Sequence, residues 1–236
     1  MPSSSQKGNL DMNIGYTFKN RKLLETALTH ISFANDSGVE SNQRLEFLGD
    51  SILSVVVSEY IYNEFKDFDE GKLTEVRAAA VCEKSLAAAA EGLGLGEAIH
   101  FGKSEERCDG AHKPSILCDT YEAVLGAIYL DGGIEPAREM VLRTLKTTIE
   151  AARAMDFRNY KSEIQNYFQK RDKNREVVTY TLVEKKGPDH APEFEVNAEY
   201  QGKVIGSGHG RSRKAAEQEA AREALSEIEK AGKNVK

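Results

Sequence analysis

Two stretches of the sequence each carry a pair of carboxylates among apolar residues. Glu46 and Asp50 lie four positions apart, and Asp119 and Glu122 lie three positions apart. On a helix, either spacing puts both members of a pair on one face. Like charges at that separation repel one another, and carboxylates beside apolar neighbours lose hydration. A divalent cation would relieve both penalties if the two helices pack face to face.

The expected ligands of such an ion are carboxylate oxygen atoms, with no His or Cys nearby. Oxygen ligands alone favour Mg²⁺ or Mn²⁺ over zinc. These ions suit phosphoryl chemistry because they stabilise the attacking water, the five-coordinate phosphorus and the leaving oxygen. Acidic pairs also occur on ordinary solvated helix faces. The spacing alone therefore leaves a metal site and a plain surface open. His30 ends an apolar helical face and is interpreted as a packed structural histidine.

A run without acidic residues covers positions 201–216. Its basic residues are Lys203, His209, Arg211, Arg213 and Lys214. Three of them stand where a helix is predicted to begin, and there the unpaired N–H groups and the helix dipole already favour anions. This combination predicts a phosphate-binding surface, and the alternative is an ordinary solvated helix end.

Charge is distributed unevenly along the 236 residues, whose net charge is −6. Residues 1–155 contain 16 basic and 24 acidic side chains, whereas residues 156–236 contain 16 basic and 14 acidic ones. The acidic total would argue against a nucleic-acid partner if the charge were uniform. The asymmetry instead indicates two modules with different tasks.

Composition excludes several classes of protein. With 40% apolar and 30% charged residues, the chain is expected to be globular rather than disordered. Carboxylates interrupt the longest apolar stretch and the N-terminus lacks an apolar signal-peptide core, so no membrane partner is expected. The three cysteines form no Cys-x-x-Cys motif, which favours a reducing, cytoplasmic location.

The elements that must position the carboxylates are predicted to be helices. From Lys22 to about Ile149, apolar residues recur at three- and four-residue intervals, the period of an amphipathic helix. Individual helices are expected at Glu75–Leu93, Ile116–Leu130 and Pro136–Arg153. The first module is therefore predicted to be all-α.

The pattern changes after Met155. A short helix is predicted at Tyr160–Arg171, followed by strands around residues 177–183, 194–198 and 204–205. A glycine-rich break at residues 206–210 then leads to Ser212, a good N-cap, and to a helix over Arg213–Glu229. The order of the second module is helix, three strands, helix.

Six segments together resemble a known family. Residues 42–51, 69–71 and 113–123 are similar to the motifs of bacterial ribonuclease III, and residues 160–165, 187–190 and 208–218 are similar to those of a double-stranded-RNA-binding domain. The resemblance implies an all-α ribonuclease III endonuclease domain over residues 1–153 and a linker over 154–159. A small α+β (α-β-β-β-α) double-stranded-RNA-binding domain over 160–230 and a flexible tail over 231–236 would follow.

The resemblance also implies a reaction and its residues. Glu46, Asp119 and Glu122 would bind Mg²⁺, with Mn²⁺ as a substitute, and Asp50 would act with Glu122 on the attacking water and the leaving 3′-oxygen. Glu70 matches a further acidic position of the family's catalytic valley. The implied enzyme is a homodimer that hydrolyses double-stranded RNA, leaving 5′-phosphate and 3′-hydroxyl ends with short 3′ overhangs. Its usual substrates would be precursor ribosomal RNA and structured messenger and transfer RNA precursors.

The second module would recognise duplex RNA by shape. The major groove of A-form RNA is too deep and narrow for side chains, so minor-groove 2′-hydroxyls and phosphates must be contacted instead. By the resemblance, Gln165 and His190 would reach two successive minor grooves. The phosphates between them would be bridged by Arg211, Ser212, Arg213 and Lys214.

One departure from the family pattern supports an alternative. Position 43 is Gln, where the family usually has Glu, so one carboxylate is missing a turn before Glu46. The alternative is a catalytically inactive, dimeric regulator that binds double-stranded RNA. The intact Glu46, Asp50, Asp119 and Glu122 favour the enzyme.

Overall fold

The computed structural model describes residues 10–155, 158–172, 176–188 and 191–233. Contacts within the chain divide it into two compact units, with the division between residues 156 and 157. This division lies inside the segment 154–159 that the sequence predicts as a linker. Over the described ranges, none of the helices has the length and apolarity needed to cross a lipid bilayer.

The first unit is built from helices, which confirms the all-α prediction. Its helices are α1 (Arg21–Ala27), α2 (Ile31–Ser37), α3 (Gln43–Glu64), α4 (Glu70–Ala80), α5 (Glu83–Gly92), α6 (Lys103–Glu106), α7 (Pro114–Gly132) and α8 (Ile134–Arg153). The core is centred on α7, where an uninterrupted run of six residues from Ala123 to Ile128 is buried. Helix α3 packs its apolar side against α7, with Leu53, Val56 and Val57 fully buried.

The prediction of one helix over Glu75–Leu93 is wrong. Helix α4 ends at Ala80 and α5 begins at Glu83, because Cys82 between them has extended backbone (φ −67°, ψ 155°). Cys82 is the N-cap of α5, and its Sγ lies 3.3 Å from the Ser85 hydroxyl. Neither Gly nor Pro marks the bend, and runs of alanine lie on both sides of it. The periodic pattern therefore conceals the break.

The second unit has the predicted helix, three strands and helix. Its elements are α9 (Tyr160–Asp172), β1 (Thr179–Lys186), β2 (Glu193–Tyr200), β3 (Lys203–Gly210) and α10 (Arg213–Lys233). The strands form an antiparallel sheet in the order β1-β2-β3, with Val196 opposite Leu182 on one side and Gly208 on the other. A core that includes Ile164, Phe168 and several alanines of α10 fills the space between helices and sheet.

Two boundaries of this unit differ from the prediction. Gly206, Gly208 and Gly210 belong to strand β3 rather than to a break after it. A Cβ at Gly208 would overlap the backbone of α10 at Ala216 and Ala220, so the glycines let the strand lie directly against the helix. The last helix continues to Lys233, four residues beyond its predicted end at Glu229.

Candidate metal centre and nucleic-acid interface

Helices α3 and α7 cross with their backbones in contact. A Cβ on Gly49 of α3 would overlap the carbonyl oxygen of Glu122, and a Cβ on Gly126 of α7 would overlap the carbonyl oxygen of Leu45. Each helix thus has a glycine at the point where the other passes. This crossing fixes the acidic pair of α3 beside the acidic pair of α7.

The structure brings the four predicted carboxylates together. Asp119 and Glu122 each offer an oxygen atom within 4.8 Å of the other. The charges of Asp50, Glu46 and Asp119 all act on Glu122 and raise its pKa. Three of the four side chains are half-buried at the crossing, and Asp50 is exposed.

Burial and mutual repulsion make the ionised state of this cluster unfavourable. Burial first, and then the charges of its three neighbours, raise the pKa of Glu122 to about 7. Burial likewise raises the pKa of Glu46, with Asp119 and Asp50 adding to the shift. The pKa of Asp119 is raised mainly by burial. A divalent cation would reverse this balance, since it favours the ionised form of every carboxylate that it binds.

The carboxylates fit a small hard cation, because Mg²⁺ and Mn²⁺ prefer oxygen ligands. The expectation that no cysteine lies near these carboxylates is wrong, however. The Sγ atom of Cys118 lies within 4.8 Å of ligand atoms of both Asp119 and Glu122. Cys118 stands one helical turn before Glu122, so the i,i+4 spacing could have revealed it.

Two further residues lie near the cluster, although no local spacing connects them to the carboxylates. His30 is the N-cap of α2, and its Nδ1 accepts a hydrogen bond from the Ser32 amide at 3.3 Å. It is half-buried, and burial lowers its pKa. When protonated, its charge favours the ionised form of Asp119. Glu83, the first residue of α5, has the opposite effect and raises the pKa of Asp119. Only the packing of the helices brings these side chains near α7.

Glu70 lies apart from the four carboxylates within this chain. It is the first residue of α4, after Asp69, whose side chain accepts a hydrogen bond from the Lys72 amide at 2.9 Å. Glu70 lines a groove together with Ser58 and Tyr62. On α3, Ser58 is about 12 Å beyond Asp50, given a rise of about 1.5 Å per residue. The assignment of Glu70 to the catalytic valley stays a prediction.

The predicted phosphate-binding residues are adjacent and exposed at the start of α10. Ser212 is the N-cap, as predicted, because its hydroxyl accepts a hydrogen bond from the Ala215 amide at 3.2 Å. Arg211, Arg213 and Lys214 are exposed beside it. The Nε of Arg213 also donates to Glu217 at 3.0 Å, one turn along the helix.

Gln165 is already engaged within its own unit. Its Nε2 donates to the Glu176 carbonyl at 2.9 Å, and its Oε1 accepts from the Val178 amide at 2.8 Å. The side chain thus joins α9 to the segment that enters β1. A contact between Gln165 and RNA would have to compete with these bonds or add to them. His190, the other predicted minor-groove residue, lies outside the described residues.

Comparison with known proteins identifies both units. The family profile described as Ribonuclease-III-like matches residues 20–149, and the double-stranded RNA binding motif matches residues 160–228. Ribonuclease 3 of Desulforamulus reducens is 45% identical over 234 residues, which cover 97% of this chain and 94% of that protein. Ribonuclease 3 of Bacillus licheniformis is 41% identical over 220 residues, which cover 92% of this chain and 88% of that protein.

A solved structure supports the same relationship for the first unit. The nuclease domain of ribonuclease III from Campylobacter jejuni is 44% identical, with a TM-score of 0.56, and covers 59% of this chain and 96% of that domain. That structure is described as showing flexibility in a region involved in dimer formation.

Proposed function

This chain belongs to the ribonuclease III family, and from that membership and its two modules we infer that it is an endoribonuclease that cleaves double-stranded RNA. The observation that carries the proposal is the convergence of Glu46, Asp50, Asp119 and Glu122 at the crossing of α3 and α7. A nuclease module with this cluster is followed in the same chain by a double-stranded RNA binding motif.

The proposed cofactor is Mg²⁺, with Mn²⁺ as a substitute. Glu46, Asp119 and Glu122 would hold it, since their oxygen atoms suit a hard cation and their repulsion disfavours the metal-free, ionised state. Such a cation supplies electrostatic stabilisation to a phosphodiester that is being hydrolysed.

The remaining residues act around the scissile phosphate. Exposed Asp50 would accept a hydrogen bond from the attacking water and orient it. Glu122 would act with Asp50 on the attacking water and the leaving 3′-oxygen, in the ionised form that a bound cation favours. The products would carry 5′-phosphate and 3′-hydroxyl ends.

The second module would hold the duplex by its phosphates. Arg211, Arg213 and Lys214 surround the N-terminus of α10, so their charges and the free N–H groups of the first turn act on the same phosphates. Contacts of this kind carry little sequence information. We expect the shape of the duplex to matter more than its sequence.

A homodimer is part of the proposal, because cutting both strands needs two sites. Phe47, on α3, is 78% exposed, and Leu130, on α7, is 53% exposed. Both line a groove of about 750 Å³ that also includes Leu23 and Leu48. A second copy of this chain would cover these apolar side chains. Sedimentation should show that the wild type is a dimer and that Phe47→Asp is a monomer, and a monomeric wild type would contradict this part of the proposal.

A cellular role is also part of the proposal. We place the enzyme in the cytoplasm, acting on base-paired regions of precursor ribosomal RNA and of structured messenger and transfer RNA precursors. Offset cleavage by the two subunits would leave short 3′ overhangs.

The inactive, RNA-binding regulator has little support. Gln43 lies one turn before Glu46 at the start of α3 and is exposed, so the four principal carboxylates are complete without it. No relative or structural neighbour described above favours loss of activity.

One assay separates the enzyme from the regulator. Wild-type protein and Glu122→Gln are incubated with duplex RNA in Mg²⁺ or Ca²⁺, and both cleavage and binding are measured. We expect cleavage by the wild type in Mg²⁺ alone, with binding by both proteins. Binding without cleavage by the wild type would favour the regulator, and equal cleavage by Glu122→Gln would contradict the role of Glu122.

A further inference from the structure

Cys118 places a sulfur atom beside the proposed magnesium ligands. It lies on the same helix as Asp119 and Glu122, and one ligand atom from each of the three side chains lies within 4.8 Å of the others. Around a tetrahedral zinc ion, with bonds of about 2.3 Å to sulfur and about 2.0–2.2 Å to oxygen, two donors lie about 3.6 Å apart. The three atoms are therefore within about 1.2 Å of the separation that one shared cation requires.

The sulfur atom changes which cations the cluster prefers. Mg²⁺ and Mn²⁺ gain little from a thiol, whereas Zn²⁺ and Cd²⁺ bind thiolate strongly, and Zn²⁺ already exceeds Mn²⁺ in the general order of affinity. Binding to sulfur displaces the thiol proton, which passes to solvent, so uptake of the ion releases a proton. Only small movements of three side chains on one helix are required.

We propose that Cys118, Asp119 and Glu122 form a binding site for thiophilic divalent cations, and that such an ion excludes Mg²⁺ and inhibits the nuclease. The inference rests on the proposed function, because it takes Asp119 and Glu122 to be the magnesium ligands. Its new element is Cys118 as the residue that determines metal selectivity. A cation held by sulfur would occupy the carboxylates that the reaction requires.

Cadmium binding tests this directly, because a thiolate–Cd²⁺ bond absorbs ultraviolet light. The full-length Cys82→Ser/Cys108→Ser protein keeps Cys118 as its single thiol. We expect one Cd²⁺ per chain to produce the absorption band in this protein. The matched control, Cys82→Ser/Cys108→Ser/Cys118→Ser, should show no band. Addition of Asp119→Asn to the single-thiol protein should weaken Cd²⁺ binding at least about tenfold, and excess Mg²⁺ should raise the Cd²⁺ concentration needed for half-saturation.

Two results would overturn the inference: absence of the band in the single-thiol protein, or a band that neither Asp119→Asn nor Mg²⁺ affects. Cleavage of duplex RNA by the single-thiol protein in Mg²⁺ tests the proposed function separately. A protein that cleaves RNA but gives no cadmium band contradicts only the role of Cys118. A protein that binds Cd²⁺ as expected but never cleaves contradicts the nuclease.

Discussion

The two modules place their functional charges in opposite settings. In the nuclease module, four carboxylates of like sign meet at a helix crossing, and burial raises the pKa of three of them. In the RNA-binding module, the basic residues are exposed at the start of α10, where Arg213 is partly neutralised by Glu217. One site is assembled against electrostatic repulsion, whereas the other is a solvated surface.

This difference predicts two kinds of response to mutation. The carboxylates depend on one another and on the backbone contact at Gly49, so a single change should disable the whole site. The basic residues act on separate phosphates through solvent, so their losses should be small and nearly additive.

The largest effect is expected from Asp119→Asn. Removal of one charged ligand should reduce cleavage in Mg²⁺ at least about a hundredfold, while duplex binding changes little because the second module is intact. Initial rates of cleavage and a binding titration in Ca²⁺ measure the two quantities. Asp109→Asn, in an exposed loop of the same module, is the matched control and should retain activity. Equal losses of cleavage and binding would contradict the separation of the modules.

The second-largest effect, on both stability and cleavage, is expected from Gly49→Ala. The added Cβ would overlap the Glu122 carbonyl oxygen, so the free energy of unfolding should fall by about 1–3 kcal/mol, and cleavage should fall as the helices separate. Gly92→Ala, near the end of α5, has open space around its position and serves as the control in denaturant unfolding. A Gly49→Ala protein with wild-type stability would show that the helix crossing is not tight.

A smaller effect is expected from Arg213→Ala/Lys214→Ala. Loss of two phosphate contacts should make the slope of log affinity against log salt shallower by about 2, while cleavage at saturating RNA stays near the wild-type rate. Lys230→Ala, near the other end of α10 and paired with Glu227, is the control. An unchanged salt slope would show that these residues do not contact phosphate.

The smallest effect concerns the stability of the metal-free protein. Glu122 has a pKa of about 7 when folded, against 4.5 ordinarily, so the folded state holds its proton more tightly than the unfolded chain. The resulting stability is present below pH 4.5 and is lost as pH rises towards 7. Because solvent screens this half-buried group, Glu122→Gln with EDTA present should lack the loss and exceed the free energy of unfolding of the wild type by about 1 kcal/mol at pH 8, whereas exposed Glu106→Gln should not. If the free energies of unfolding of the wild type and Glu122→Gln changed with pH in parallel, the raised pKa of Glu122 would be contradicted.

The sequence predicts the helices and strands well where apolar periodicity is long, as in α7 and α8. It fails at Cys82, where an extended residue bends the chain without Gly or Pro, and at residues 206–210, where glycines form a strand instead of ending one. At residues 206–210, close packing against α10 decides the conformation, and such packing leaves little trace in local sequence.

The same limit applies to the functional residues. Spacing alone finds each carboxylate pair because its members lie on one helix. It does not find His30 or Glu83, which approach Asp119 from other helices, or the backbone bonds that engage Gln165. Cys118 is different, since its helical spacing to Glu122 is visible in the sequence.

The central claim is that the two acidic pairs form one metal site, and Mn²⁺ in crystals of the full chain tests it most directly. The anomalous difference map should show a Mn²⁺ peak between α3 and α7, where Glu46, Asp119 and Glu122 bind the ion. The Asp119→Asn protein under the same conditions should lose this peak. Crystals in which Mn²⁺ binds elsewhere, or in which the peak persists without Asp119, would contradict the claim.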